Sequence, residues 1–343
     1  MLNRQNISPL YRDVTRGRGG IAGGKFLFVN DSDVTSYIVN SGTARGTVTY
    51  LSLAGASGDY ASTPDSAALD ITGDISFIFY IAPTLAVPET AKEIITKSKF
   101  GNQRSYYVQI NPSGGLRIGT SPDGIDATII NVDSNVILPI SNGQGIWALA
   151  IRDVNNGAGG NDTKFYTSSG SPFVVPSFAE FTQLGTTDVV AGTTSIFNGT
   201  ANLEVGSSDG GITNNFSGKI YRAQVYDGIF GAGGTLVADF NANDWTSGAT
   251  LVSSSTAETY TLNGTATIQG ASGVNAIRLA TTASSTNDVY NNMAIVLTGG
   301  TGSGQNHQRI TDYDGVSKVA VLSGAWITEP DSTSVYQIVD RDY

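Results

Sequence analysis

The stretch of sequence that decides the predicted fold is Phe216-Ser217-Gly218-Lys219-Ile220-Tyr221-Arg222-Ala223-Gln224-Val225-Tyr226-Asp227-Gly228. Side chains of an extended chain alternate between two faces. This alternation predicts one face of Ile220, Arg222, Gln224 and Tyr226, and an opposite face of Tyr221, Ala223 and Val225. Asp227-Gly228 then supplies a turn. We predict a scaffold strand here, with Lys219, Arg222 and Gln224 in solvent or at an interface.

The composition favours a β-rich protein. Of 343 residues, 40% are hydrophobic, only 14% are charged and 42 are glycine. Such a low-charge, glycine-rich surface is more typical of extracellular or virion proteins than of cytosolic enzymes. The chain has no cysteine, which excludes disulfides, thiolate zinc sites and cysteine nucleophiles. Stability is therefore expected to come from the size of the core or from oligomerisation.

Charge and hydropathy argue against two classes of partner. The net charge of −10 argues against nucleic acid, because phosphate binding depends on Lys and Arg. No apolar run approaches the length of a membrane span, so we expect no membrane insertion. No apolar signal region follows the first charged residues. A protein that acts outside the cell would then need another route, such as release by lysis within a virus particle.

Four segments are predicted along the chain. Residues 1–24 are expected to be an extended arm, because Arg12, Arg16 and Arg18 lie among glycines and cannot bury enough surface to fold alone. Residues 25–53 are predicted to form a short β segment, residues 54–269 a β-sandwich, and residues 270–343 a small β module.

The long middle segment carries many short strands and almost no helical period. Ile75, Phe77, Phe79 and Ile81 alternate onto one face of a strand. Residues 105–110 and 115–119 are predicted to pair across the turn 111–114. Strands 145–152 and 163–167 flank a loop rich in Gly and Asn, and the one helix expected is a turn or two at 88–92. Regularly spaced short strands of this kind predict a sandwich.

The order of the motifs supplies a family resemblance over about residues 55–268. The Trp147 strand, Leu203-Glu204-Val205-Gly206 and the opening stretch follow one another in the chain. This set resembles the concanavalin-A-like and laminin-G-like jelly rolls that are common in phage virion proteins. The resemblance implies that Leu203–Gly206 and Phe216–Asp227 are adjacent strands. Residues 300–305, Gly-Thr-Gly-Ser-Gly-Gln, resemble a turn of small β modules in phage tail fibres.

The sequence offers little for catalysis, so we expect no enzyme. His307 is the only histidine. A Ser-His-Asp triad needs a histidine as its base, so His307 is the only residue that could serve in one. Glycosidases of this fold would carry two glutamates close together on one strand. The six glutamates, among them Glu93 and Glu204, do not show that spacing.

Candidate binding residues come from the resemblance and from the arm. Asp153, Asn155 and Asp209 are the best-placed oxygen donors for a ligand, or for calcium if a metal is bound. A plain hairpin turn at 153–157 is the simpler alternative. Arg12, Arg16 and Arg18 are predicted to dock onto a particle.

The function predicted from these features is that of a structural or adhesive bacteriophage virion protein. It would be a tail fibre or tail-associated protein that displays a lectin-like sandwich, with host-surface attachment as an option. A capsid decoration or head-fibre protein is one alternative, and a glycan-binding lectin module outside a virus is another. The expected partners are other virion proteins, further copies of the chain (a trimer is one option) and a host-surface glycan. The expected location is the virion.

Overall fold

A computed structural model describes residues 36–341, apart from residues 47, 171–173, 246, 271–274 and 316–317. The predicted arm, residues 1–24, and the first part of the predicted β segment, residues 25–35, lie outside these residues. Within them the structure consists of β-strands and four short 3₁₀ turns. The turns span Ala67–Leu69, Asp126–Thr128, Phe178–Glu180 and Ala242–Asp244.

The strands form three antiparallel sheets, and their bounds in chain order are as follows. They are β1 Ser36–Thr43, β2 Thr49–Ala54, β3 Tyr60–Thr63, β4 Ile75–Pro83, β5 Lys92–Lys99, β6 Gln103–Ile110, β7 Gly115–Thr120, β8 Ile130–Ile137, β9 Ile146–Asp153, β10 Gly160–Ser168, β11 Thr182–Gln183 and β12 Asp188–Ala191. They continue with β13 Leu203–Val205, β14 Ser217–Asp227, β15 Thr235–Asn241, β16 Thr250–Val252, β17 Thr259–Asn263, β18 Thr267–Gly270, β19 Ala276–Arg278, β20 Ala294–Gly299, β21 Gln308–Asp314, β22 Val319–Leu322 and β23 Val335–Arg341.

Two large sheets make the sandwich. One has the order β11-β10-β9-β4-β14-β2-β18, with β12 paired to β10 and β15 to β14. The other has the order β16-β17-β3-β13-β5-β6-β7-β8. Strands far apart in the chain are neighbours at the sheet centres, such as β4 with β14 and β3 with β13. Long-range antiparallel pairing of this kind is the nested Greek-key pattern of a jelly roll.

Side chains from both large sheets share one core. The predicted alternating set of β4 enters it, namely Ile75, Phe77, Phe79 and Ile81, all of which are fully buried. Strand β4 is also buried on its other face, where Ile78 packs with Trp147. A strand covered on both sides needs apolar residues at nearly every position, which explains the runs Ile75–Pro83 and Ile146–Asp153. The predicted all-β, concanavalin-A-like sandwich is therefore confirmed by the arrangement of the sheets.

The third sheet has the order β1-β23-β20-β21-β22-β19 and contains the C-terminal strands. Its first strand comes from the opposite end of the described chain, with Ser36 opposite Arg341 in the register. The predicted segment 25–53 thus divides, because β1 completes the small sheet and β2 pairs within the sandwich. In topology, the sandwich is inserted between β1 and β19. The other predicted boundaries stay predictions.

Apolar and charged contacts join the small sheet to the sandwich. A buried cluster combines residues of both, namely Val48, Tyr50, Ala82 and Tyr221 with Ala276, Val319 and Val321. Beside it, Arg222 of β14 makes a two-point pair with Asp239, with Nε to Oδ1 at 2.9 Å and Nη2 to Oδ2 at 2.7 Å. Its Nη1 lies 3.5 Å from Asp314 of the small sheet. Burial opposes the charge of Arg222, but the carboxylate of Asp239 raises its pKa.

The opening stretch forms β14, yet its predicted alternation is wrong at one point. The pairing of β14 with β4 shifts register between Ile220 and Arg222. This β-bulge turns Ile220 into the same core as Ala223 and Val225. Two further expectations are corrected, since Arg222 and Gln224 are buried. Lys219 alone of the three is exposed, with its Nζ 4.6 Å from the centre of the Tyr50 ring.

Gly206 and Gly218 occupy positions with positive φ where a side chain would clash with its neighbours. Gly218 has a φ of +137°. A Cβ there would lie 2.8 Å from Cα of Pro83 and 2.9 Å from N of Thr84, so only glycine lets β14 pass the end of β4. Gly206 has a φ of +91° and a Cβ would collide with Leu53.

Three local expectations have a clear outcome. The hairpin of β6 and β7 is confirmed, with Ile110 opposite Leu116. The resemblance implied that β13 and β14 are adjacent strands, and this is wrong. The two strands lie in the two facing sheets. No helix forms at 88–92, because Lys92 already pairs with Ile110 as the first residue of β5.

Candidate functional site

Asp153 and Asn155 lie in the turn between β9 and β10. Asp153 Oδ1 accepts the N–H of Asn155 at 3.1 Å, and Asn155 Oδ1 accepts the N–H of Gly157 at 3.3 Å. These are local side-chain-to-backbone bonds that fix a turn. Next to them, Asp74 Oδ1 accepts the N–H of Val154 at 2.9 Å. Burial raises the pKa of Asp74, and the charge of Asp153 raises it further.

Asp209 lies in the loop between β13 and β14, and both of its carboxylate oxygens accept hydrogen bonds. Its Oδ1 accepts the N–H of Phe100 at 2.6 Å, and its Oδ2 accepts the hydroxyl of Thr213 at 3.0 Å. Nη1 of Arg104 lies 3.3 Å from Oδ1. No described contact joins Asp209 to Asp153 or Asn155, so the structure does not bring the predicted ligand set together. A cation at Asp209 would have to displace the guanidinium of Arg104, and Asp209 with its present partners therefore does not fit calcium.

No group of three or more acidic or histidine side chains suited to a metal occurs among the described residues. Asp153 and Asn155 as ligand residues stay a prediction. Arg12, Arg16 and Arg18, the predicted docking residues, lie outside the described part of the chain. Within that part, no helix is long and apolar enough to cross a membrane.

The loop that joins β13 to β14, residues 206–216, is held on the eight-stranded sheet by buried carboxyl groups. Glu204 of β13 accepts the N–H of Gly210 at 2.8 Å and that of Gly211 at 3.3 Å. Glu93 of β5 accepts from Nδ2 of Asn214 at 3.2 Å, and its own N–H donates to the carbonyl of that residue at 2.8 Å. We call this set, together with Asp209 and Arg104, the loop anchor.

Glu93 is the unusual member of the loop anchor. Only 3% of the residue is exposed, and its Oε2 has no hydrogen-bond partner among the described residues. Burial raises its pKa to about 8, while Asn214 and the charge of Arg104 act in the opposite direction. The carboxyl group is therefore largely protonated at neutral pH. The sequence signal for this site was a glutamate at the start of an apolar strand, Glu93-Ile94-Ile95.

A cleft of about 490 Å³ opens between the sandwich and the small sheet. Its walls come from three parts of the chain. They are the segment that follows β1, β2 with the neighbouring Trp245, and the small sheet with its last loop. The lining residues are Ala44, Arg45, Gly46, Thr49, Trp245, Arg278, Pro330, Asp331 and Ser332. Sequence reasoning missed this cleft, because its residues are up to 288 positions apart (44 to 332) and meet only in the folded chain.

Comparisons with known proteins give structural likenesses without a family. No protein-family model matches the chain, and no curated protein matches it. Among solved structures, laminin α1 domains LG4-5 of mouse are 11% identical, with 93% of this chain and 86% of that chain covered and a TM-score of 0.38. A heptameric SAP-like pentraxin of Limulus polyphemus is 14% identical, with 54% and 78% covered and a TM-score of 0.35.

A virus protein is also among the similar structures. Tailspike protein 2 of the Escherichia coli O157:H7 bacteriophage CAB120 is 15% identical, with 55% of this chain and 26% of that chain covered and a TM-score of 0.29. At scores below 0.5, these likenesses assign neither a family nor a function to the chain.

Proposed function

We propose that the chain is a structural and adhesive protein of a bacteriophage particle, with its sandwich displayed from a small β base. The observation that carries the proposal is the insertion of β2–β18 between β1 and β19 of the small sheet. Because β1 pairs with β23, the described part of the chain both starts and ends in the small sheet. An arm docked on a particle would then leave the sandwich facing outward.

The motif order of the sequence supports a tail fibre or tail-associated protein, and capsid decoration or a head fibre is the alternative position. The proposed partners are other virion proteins and further copies of the chain, and the proposed location is the virion. Immunogold labelling and cryo-electron microscopy of intact particles test these proposals. Label on the tail supports the first position and label on the head supports the alternative. Particles that carry no label, together with a purified chain that stays monomeric, would refute the virion role.

We further propose a binding role without catalysis. In support, Glu204 is occupied by two backbone N–H groups of the loop anchor, and Glu93 is buried beneath the same loop. Neither glutamate is placed as an open acid–base pair for a sugar. Incubation with bacterial polysaccharides tests this: an absence of released sugar supports binding without catalysis, and released sugar that is lost in a Glu204→Ala variant would refute it.

Host-surface glycan binding, by a virion protein or by a lectin module outside a virus, is tested on a glycan array. Melting with and without calcium tests Asp153 and Asn155 separately. A rise in melting temperature with calcium that is lost in Asp153→Asn would support a cation at that turn. An unchanged melting temperature would leave it a plain turn.

A further inference from the structure

The cleft between the sandwich and the small sheet has in its wall an arginine that forms no ion pair within the described part of the chain. Arg278 of β19 is 4% exposed. Its backbone is fixed by the segment after β1, since its N–H donates to the carbonyl of Gly46 at 3.0 Å and its carbonyl accepts the N–H of Arg45 at 2.8 Å. The position of the side chain at the cleft is therefore set by the sheet pairing.

The guanidinium of Arg278 is only partly satisfied by the protein. Nη2 donates to the carbonyl of Trp245 over a long 3.4 Å, and Nε has no hydrogen-bond partner among the residues that the structure describes. No carboxylate of these residues lies within salt-bridge distance of it. A buried charge is normally paired, because the loss of hydration is otherwise uncompensated. An anionic group from outside the chain would supply the missing partner.

A second positive charge lies in the same lining. Arg45 donates from Nε to the carbonyl of Leu279 at 3.1 Å. Burial and the charge of Arg45 together lower the pKa of Arg278 to about 10, while Asp244 acts in the opposite direction. The two cations of the lining thus repel each other, and an anion bound near both would relieve that repulsion.

Two nearby carboxylates, those of Asp331 and Asp244, limit the negative charge of an anion that the cleft can bind. Asp331 belongs to the lining, but its carboxylate already accepts from the hydroxyls of Thr301 and Thr333. Asp244 accepts the N–H of Ser254 at 2.8 Å. With these two carboxylates close by, a group with one negative charge is favoured over a doubly charged phosphate.

The aromatic wall and the size of the cleft indicate the rest of the ligand. Trp245 is partly exposed, and its indole is fixed by donation from Nε1 to the carbonyl of Gly248 at 2.9 Å. An aromatic wall beside a few polar groups is the usual composition of a small-molecule site, and about 490 Å³ is enough for one or two sugar rings. A guanidinium holds a carboxylate through two parallel hydrogen bonds.

We propose that this cleft binds a carboxylate-bearing sugar, with Arg278 and Arg45 on the carboxylate and Trp245 beside the ring. The proposal stands on the residues of the cleft and holds whether or not the protein belongs to a virus particle.

Calorimetric titration of the full chain with D-glucuronate, D-glucose and inorganic phosphate tests the site. We expect D-glucuronate to bind, D-glucose to bind at least tenfold more weakly, and phosphate to bind more weakly than D-glucuronate. Equal binding of the two sugars, tighter binding of phosphate, or no binding of D-glucuronate would overturn the proposal.

Variants of one residue separate the site from a general charge effect. Arg278→Met removes the guanidinium but keeps an unbranched side chain, and we expect at least a tenfold loss of D-glucuronate affinity. Arg278→Lys keeps the charge without the two-point contact, should weaken binding several-fold, and remains informative if the Met variant does not fold. Arg309→Met is the matched control, because Arg309 is an exposed arginine of the same sheet that contacts Asn292. A Lys variant with unchanged affinity, or a control that loses as much as Arg278→Met, would refute the assignment.

Discussion

The ionisation of Glu93 gives a direct test of how the loop anchor is packed. In the folded protein, burial raises the pKa of this carboxyl group from its ordinary value of 4.5 to about 8. Between these two pH values the unfolded chain releases a proton that the folded chain keeps. The contribution of Glu93 to stability is therefore fully present below pH 4.5 and is lost as the pH rises towards 8.

The size of the effect follows from the width of that window. Each pH unit of difference between the folded and unfolded pKa corresponds to about 1.4 kcal/mol. From 4.5 to about 8 the free energy of unfolding would fall by at most roughly 5 kcal/mol. This is a large part of the stability of a typical domain, which is about 5 to 15 kcal/mol.

Glu93→Gln removes the ionisation and keeps a side-chain oxygen for Asn214. We expect the variant to gain stability over the parent protein as the pH rises, by several kcal/mol between pH 5 and pH 9, within that ceiling of roughly 5 kcal/mol. Urea unfolding followed by circular dichroism at a series of pH values measures the difference. Glu89→Gln is the control, because Glu89 is exposed and its substitution should give the same difference from the parent at every pH. Parallel stability curves for Glu93→Gln and the parent protein would refute the buried, protonated carboxyl group.

Three further substitutions test the scaffold, each by urea or thermal unfolding. Gly218→Ala forces a Cβ against the backbone at the end of β4 and should lower the free energy of unfolding by about 2 kcal/mol or more; an unchanged midpoint would contradict the close approach. Asp209→Asn removes the buried counter-charge of Arg104 and leaves it only the exposed Asp126, so it should cost about 3 kcal/mol; a neutral result would contradict a stabilising buried pair. Asp239→Asn should cost about 3 to 5 kcal/mol, because the buried Arg222 then keeps only Asp314 as a counter-charge, while the apolar double variant Arg222→Met with Asp239→Leu should come within about 2 kcal/mol of the parent protein; equal losses in both would show that the shape of the pair matters more than its charge.

The sandwich itself was predictable because its strands are local patterns. The alternation of Ile75, Phe77, Phe79 and Ile81 reaches the core as predicted. The turn between β6 and β7 joins the predicted hairpin. Both features need only short-range sequence, since alternation and turn chemistry act over a few residues.

The bulge in β14 was not predictable from alternation. A strict two-residue period places Ile220 with Arg222, but the register shift between them turns Ile220 inward. Arg222 was expected in solvent or at an interface because it is charged, and it is buried because Asp239 lies beside it on β15. A buried charge is normally paired, and here the partner comes from another strand, so the pairing is invisible in a single stretch.

The predicted ligand residues also differ in whether their contacts are local or come from distant parts of the chain. Asp153 and Asn155 lie in the turn where the sequence placed them, because both make bonds to backbone only two positions away. Asp209 is engaged by Arg104, which lies 105 positions earlier in the chain, and this excludes it from the predicted ligand set.

By itself, the sequence determined the all-β class, the sandwich strands and their turns, since these follow from periodicity and from turn residues such as Asp227-Gly228. Only the tertiary structure decided that β1 completes the small sheet, that Glu93 is buried beneath a loop, and that Arg278 faces a cleft beside Trp245. The physical reason is that burial and charge pairing depend on long-range neighbours, which a chain acquires only when its distant strands meet.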